Sequence, residues 1–154
     1  MKFFRKIFSI FIVSLFLLSC GYTPIYKDQK NLNFSISIDD ALGDRKINNL
    51  TKNKLKRYSL IEKKRNYNII IKSDYSKTIV AKDTAGNVTD YKILVIINFN
   101  VTSDKFNKVF KFEESFNMKK LSNKIEELDY EKNIKNNLVE IITQKLVDQL
   151  TLNK

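Results

Sequence analysis

Residues 67–101 read YNIIIKSDYSKTIVAKDTAGNVTDYKILVIINFNV, and two long alternating runs meet there across a short polar break. In the first, Tyr67, Ile69, Ile71, Ser73, Tyr75, Ile79 and Ala81 share one parity, while Asn68, Lys72, Asp74, Ser76, Thr78 and Lys82 share the other. In the second, Tyr91, Ile93, Val95, Ile97, Phe99 and Val101 recur at every other position. A period of two is that of a strand with one buried face. Ile93 to Ile97 is apolar on both parities, as expected of a central strand. Between the runs, Asp83-Thr84-Ala85-Gly86-Asn87 carries turn chemistry, with Gly86 free to take positive φ. Two long antiparallel strands joined by this hairpin form the frame.

Moving outward, Ser103 to Asn107 turns the chain again, and Phe110, Phe112, Phe116 and Met118 line one face of a third long strand. Upstream, Leu32, Phe34, Ile36 and Ile38 alternate with Asn33, Ser35 and Ser37, a further half-buried strand. Asp39, Asp40, Gly43 and Asp44 end it, with Asp44 placed to cap a helix that spaces Ile47, Leu50, Thr51, Leu55 and Tyr58 on one side. Residues 123–152 return to helical period. Ile134, Leu138, Ile141, Ile142, Lys145, Leu146, Gln149 and Leu150 form the expected stripe, with Asn123 or Asp129 as cap. The expected fold is α+β: a two-layer sandwich, its sheet mostly antiparallel, in the order β-α-β-β-β-α, with both helices on one face.

The chemistry the composition allows is narrow. The 154-residue chain holds no histidine, which removes the commonest general base and metal ligand, and with it Ser-His-Asp and Cys-His catalysis. A single cysteine builds neither an intramolecular disulfide nor a paired-cysteine zinc site. The adjacent carboxylates Asp39/Asp40, Glu113/Glu114 and Glu126/Glu127 diverge on a strand or a helix, so solvated charge is the expected reading rather than acid–base work. The expectation is a protein without catalytic residues, metal or cofactor, and not an enzyme. The net charge of +11 suits a polyanionic partner, although a composition rich in Lys, Asn and Ile yields a surplus of the same kind. On the polar strand faces, Lys72, Lys82 and Lys92 are the candidates to meet lipid phosphates, with an ordinary solvated face as the alternative.

The N-terminus supplies an address. Lys2, Arg5 and Lys6 precede an apolar run from Ile7 to Leu18, too short to span a bilayer but of signal-peptide length. It ends in Leu17-Leu18-Ser19-Cys20-Gly21: a branched apolar residue, a small residue, then cysteine, the pattern of a bacterial lipobox. Residues 1–19 are expected to be a lipoprotein signal peptide and Cys20 the acylated mature N-terminus. Residues 20–31 would then be a tether that Pro24 keeps from becoming a helix, and 32–154 one domain. The alternative is a buried N-terminal helix with an incidental cysteine. Gly21 in place of an aspartate points to the periplasmic side of the outer membrane, which argues against nucleic acid as partner.

Cys20-Gly21-Tyr22-Thr23-Pro24-Ile25-Tyr26 resembles the mature start of alphaproteobacterial LptE, the lipopolysaccharide-assembly lipoproteins. Asp44-Arg45, the stretch from Asp83 to Tyr91, Tyr130-Glu131 and the ending Leu146-Val147-Asp148-Gln149-Leu150 are similar to that family too. The resemblance implies a domain seated in the lumen of the outer-membrane barrel LptD, aiding its assembly and the passage of lipopolysaccharide to the outer leaflet. It transfers no lipid-contacting residue to a position here. A stand-alone periplasmic lipid carrier or envelope-binding lipoprotein is the alternative.

Overall fold

The computed structural model describes residues 33–59, 63, 65–104 and 106–152, within the unit Leu32–Lys154. The signal, the lipobox with Cys20, the tether and Leu32 lie outside the described residues. The elements run β1 (Phe34–Gly43), α1 (Arg45–Leu55), a 3-10 turn (Lys56–Tyr58), β2 (Arg65–Lys82), β3 (Val88–Ser103), β4 (Phe106–Lys119) and α2 (Lys124–Leu152).

The frame is the β2–β3 ladder, with Ile69 opposite Val101, Ile71 opposite Phe99 and Tyr75 opposite Val95. The Asp83 turn closes it: the Asp83 amide donates to the Asn87 carbonyl at 2.8 Å, and Gly86 takes φ +83°. The Asp83 carboxylate accepts from the backbone N–H of Ala85 and Asn87 and from the Asn87 side chain, which holds its pKa below the usual range. β4 adds antiparallel to β3, giving the sheet order β1-β2-β3-β4. β1 joins β2 in parallel, so the sheet is mixed. The reason is topological: a helix between neighbouring strands carries the chain back to the end where it started.

One sheet face is covered. Ile93, Val95, Ile97, Phe99 and Val101 from β3 are fully buried, with Tyr67, Ile69 and Ile71 from β2 and Met118 from β4. Above them pack Ile47 and Leu55 of α1 and Leu138, Val139, Ile142, Leu146 and Leu150 of α2. An edge-on aromatic chain, Phe34 to Tyr67 to Phe106 with centroids 5.5 and 5.7 Å apart, seals one end of the sheet. Asp44 caps α1, its carboxylate accepting from Ile47 N–H at 2.8 Å. Asn123 caps α2 by accepting from Ile125 N–H at 2.9 Å.

The stripe expected on α2 is corrected on one side. Ile141 is 44% exposed, and Lys145 and Gln149 are exposed as well, while Val139, Thr143 and Val147 are buried. The cause is a second neighbour. This half of α2 packs on α1 as well as the sheet, so its buried arc turns away from the stripe that the sheet alone would select. On β4, Phe116 shares the inner face yet remains 42% exposed, in edge contact with Tyr130.

The α1 crossover depends on one close approach. Gly43 has φ +94°, and a Cβ there would lie 1.9 Å from the carbonyl oxygen of Ser73. Asp44 N–H donates to that oxygen at 3.1 Å, Ser73 Oγ donates to Asn48 Oδ1 at 2.8 Å, and Asn48 Nδ2 donates to the Leu42 carbonyl at 3.0 Å. This network locks the end of β1 and the start of α1 onto β2. Gly43→Ala therefore meets both an unfavourable φ and a backbone collision. The expected loss is about 2–5 kcal/mol, read by urea unfolding, with the far-UV spectrum of the remaining folded fraction unchanged.

Candidate functional site

The outer sheet face, opposite the helices, carries the lysines singled out in the sequence. Lys72 stands opposite Asn98, and Asn98 opposite Lys111. Lys92 stands between Thr78 and Asn117. Six residues of β2 separate the two rows, which at strand rise is about 20 Å. Lys82 lies beyond two register shifts, between Ile79 and Ala81 and between Ala81 and Lys82, so the plain alternation that would place it with Lys72 is interrupted. The structure thus spreads the three along the sheet instead of gathering them. Lys111 is the lysine that shares a row with Lys72, and only pairing register, which a sequence does not print, reveals it. Around them, Ile70 and Val109 are exposed and Leu94 and Ile96 half-buried, and no described element packs over this face.

A second feature sits under α2. Lys77 occupies the apolar parity of β2, opposite Ile93, and its ammonium donates to Glu131 Oε2 at 2.9 Å and to Glu127 Oε1 at 3.3 Å. Lys135 Nζ donates to Glu131 Oε1 at 2.7 Å, as does the Tyr75 hydroxyl at 2.8 Å. Glu127 also accepts from Lys124 and from Leu121 N–H. The Lys77 ammonium stands 4.2 Å over the Tyr91 ring and that of Lys135 4.6 Å over the Tyr75 ring. Glu127 is only 2% exposed, which corrects its reading as a solvated charge; its neighbour Glu126 does face solvent, beside Asn123. The carboxylates were legible as an extension of the α2 stripe, since 127, 131, 134 and 138 follow helical spacing, and Lys77 as a charge on an apolar strand face.

The electrostatics follow from this geometry. Burial works against the charge on Glu131, but hydrogen bonds from Lys135, Lys77 and Tyr75 outweigh it and hold its pKa at about 2. Burial likewise opposes charge on Glu127, and Lys124, Lys77 and Leu121 N–H reverse the balance, lowering its pKa. The Lys77 pKa rises, the bonds to Glu131 and Glu127 overcoming its own desolvation. The Tyr75 hydroxyl is pushed up by burial and then by its bond to Glu131. A tyrosine, lysines and glutamates held in fixed, satisfied bonds form a clasp between sheet and helix.

The third feature is an open groove of about 660 Å³ between the edge of β1 and the end of α1. Ile36, Ile38 and Leu55 line it together with Ser35, Ser37, Ser59, Asn53 and Asn66, and Lys52, Lys56 and Lys63 complete it. No described carboxylate lines it. The opposite flank of α1 differs, because there Lys54 and Arg57 are neutralised by Glu140 of α2 at 2.6 and 3.0 Å.

The clasp has a pH signature. A carboxylate whose pKa is depressed on folding contributes stability that is complete above its ordinary value near 4.5 and is lost as the pH falls toward about 2. Glu131→Gln should cost about 2–3 kcal/mol at neutral pH, because Lys77 and Lys135 lose their shared counter-charge and the amide nitrogen that replaces one oxygen cannot accept, with Glu127 and water left to soften the loss. Thermal unfolding between pH 5 and about pH 2 should show a steeper decline in the wild type than in this variant.

No protein-family model matches the chain, and no curated protein matches it in sequence. Solved structures do share its fold. The rare lipoprotein B of Shewanella oneidensis superposes with a TM-score of 0.59 at 12% identity, over 78% of this chain and 94% of that one. Lipoprotein B of Nitrosomonas europaea gives 0.55 at 9% identity, over 78% and 84%. A minor lipoprotein of Acinetobacter baumannii gives 0.52 at 11%, over 79% and 96%. Across most of its length, this chain has the fold of those bacterial lipoproteins.

Proposed function

We propose that this chain is an outer-membrane lipoprotein of the LptE type. Diacylglycerol on Cys20 holds it to the periplasmic side of the outer membrane. The domain plugs the LptD barrel, helps assemble it and assists the passage of lipopolysaccharide to the outer leaflet. The observation that carries this reading is the fold held in common with bacterial lipoproteins over nearly the whole domain. The lipobox ending in Ser19-Cys20-Gly21 and the LptE-like motifs support it independently. The outer sheet face, with Lys72 and Lys92 in separate rows and Lys82 past the register shifts, is the surface assigned to lipopolysaccharide phosphates. Single lysines at that spacing contribute weakly, about 0–1 kcal/mol each.

A plug is favoured over a lipid carrier by the filled space between the layers. A carrier sequesters acyl chains in an apolar cavity. Here the corresponding volume holds Phe99, Ile97, Ile142, Leu146 and their neighbours, all fully buried. A plug instead requires a large outward surface for a permanent partner.

The deciding experiment is mild-detergent extraction of the chain from its native envelope, followed by affinity purification. A large β-barrel recovered in stoichiometric amount is the expected result; a lone chain carrying acyl lipids would favour the carrier. Mass spectrometry of the same preparation should find the chain beginning at Cys20 with diacylglycerol attached. An unmodified Cys20 behind an intact signal would remove the anchor from this reading.

A further inference from the structure

The charge surplus of this chain is not spread evenly, and its densest concentration lies away from the lysines of the outer sheet face. Residues 44–65 hold Arg45, Lys46, Lys52, Lys54, Lys56, Arg57, Lys63, Lys64 and Arg65 against Asp44 and Glu62. The helix divides these cations between two flanks. Lys54 and Arg57 turn to Glu140 and are paired there. Lys52 and Lys56 turn to the other flank, over the β1 edge, where Lys63 joins them; none of the three pairs with a carboxylate among the described residues. Between them lies the exposed hydroxyl of Ser37, a hydrogen-bond donor of the kind phosphate oxygens accept, while the Ser35 hydroxyl is already given to Asn66 Oδ1 and the Asn66 amide donates to Asn68 Oδ1.

The position of this groove in the chain identifies what can reach it. Its first lining residue, Ser35, follows Cys20 by only fifteen residues. An extended chain covers at most about 3.6 Å per residue, so an anchor at Cys20 keeps the groove within about 54 Å of the membrane surface. Tethering turns weak ammonium–phosphate contacts into an intramolecular equilibrium, which is where individually weak contacts become effective.

We propose that the groove of Lys52, Lys56 and Lys63 docks on the anionic phospholipid headgroups of the leaflet that holds the anchor, fixing which end of the domain faces the membrane. The proposal rests on the acylated-anchor reading. Its cations, on α1 and the chain that follows it, are separate from the lysines of the outer sheet face and from the buried clasp. Of the apolar lining, Ile36 and Leu55 are buried, so the ammonium groups meet the headgroups without the domain inserting into the acyl region.

The test uses the acylated full chain on vesicles of phosphatidylcholine, alone or containing phosphatidylglycerol, with an amine-reactive reagent and mass spectrometric readout. Phosphatidylglycerol should lower labelling of Lys52, Lys56 and Lys63 by about tenfold while leaving Lys72 and Lys111 unchanged, and added salt should restore it. Equal labelling on both vesicles overturns the proposal. Protection by glycerol phosphate in free solution overturns it as well, since the groove would then serve a soluble ligand. As a second measurement, the chain carrying Cys20→Ser is bound to phosphatidylglycerol vesicles at low salt. Adding Lys52→Gln, Lys56→Gln and Lys63→Gln should weaken that binding by about a hundredfold, and unchanged binding overturns the proposal. Failure of the anchor reading shows separately: a chain without lipid washes off neutral vesicles at high salt whatever the groove does.

Discussion

Everything in this domain answers to one constraint: a sheet of long strands with a continuous apolar face that the two helices must cover between them. β2 and β3 stay in register over most of their 18 and 16 residues, and the inner face of β3 is buried without interruption from Ile93 to Val101. A strand of 16 residues runs to about 54 Å. The 29 residues of α2 extend about 43 Å and run over β3 and β4. α1, at 11 residues, covers only the part of β2 that β1 also flanks. The lengths of the helices are therefore set by the strands beneath them.

The two ends of the interface between sheet and α2 are held by different physics. Toward its C-terminus, α2 meets both sheet and α1 through Val139, Ile142, Leu146 and Leu150, a non-directional apolar contact. Toward its N-terminus the Phe116–Tyr130 ring contact is joined by Lys77, Tyr75, Glu127, Glu131 and Lys135, each in a directional bond. Apolar packing tolerates sliding, whereas satisfied charge pairs at low exposure fix one register. The clasp thus sets the angle at which the helix crosses the sheet, and the apolar half supplies the greater part of the burial.

How much of this was legible in the residues depends on whether the signal is local. The alternation in 67–101, the Asp44 cap and the Asp83 turn each lie within a few positions of what they determine, and each is found where its pattern placed it. The parallel entry of β1, the burial of Val139 in place of Ile141 and the pairing of Lys72 with the Lys111 row depend on which elements become neighbours. The same holds for the groove, where Ser35, Lys56 and Asn66 come from three elements with no common spacing. Glu127 and Glu131 are the intermediate case: their spacing was visible, but a carboxylate on a buried stripe becomes interpretable only once Lys77 is seen beneath it.

β1 stops opposite Ser73, while β2 continues to Lys82, so the last nine residues of β2 have no described strand on that side. A bare strand edge of that length is a template on which a second chain can add by backbone hydrogen bonds alone, the first step of ordered aggregation. Here the register shifts flanking Ala81 break its flatness, and Asp74, Lys77 and Lys82 distribute charge along it. The irregularity that removes Lys82 from the row of Lys72 thus has a use of its own: it makes a poor seed of an otherwise well-formed strand.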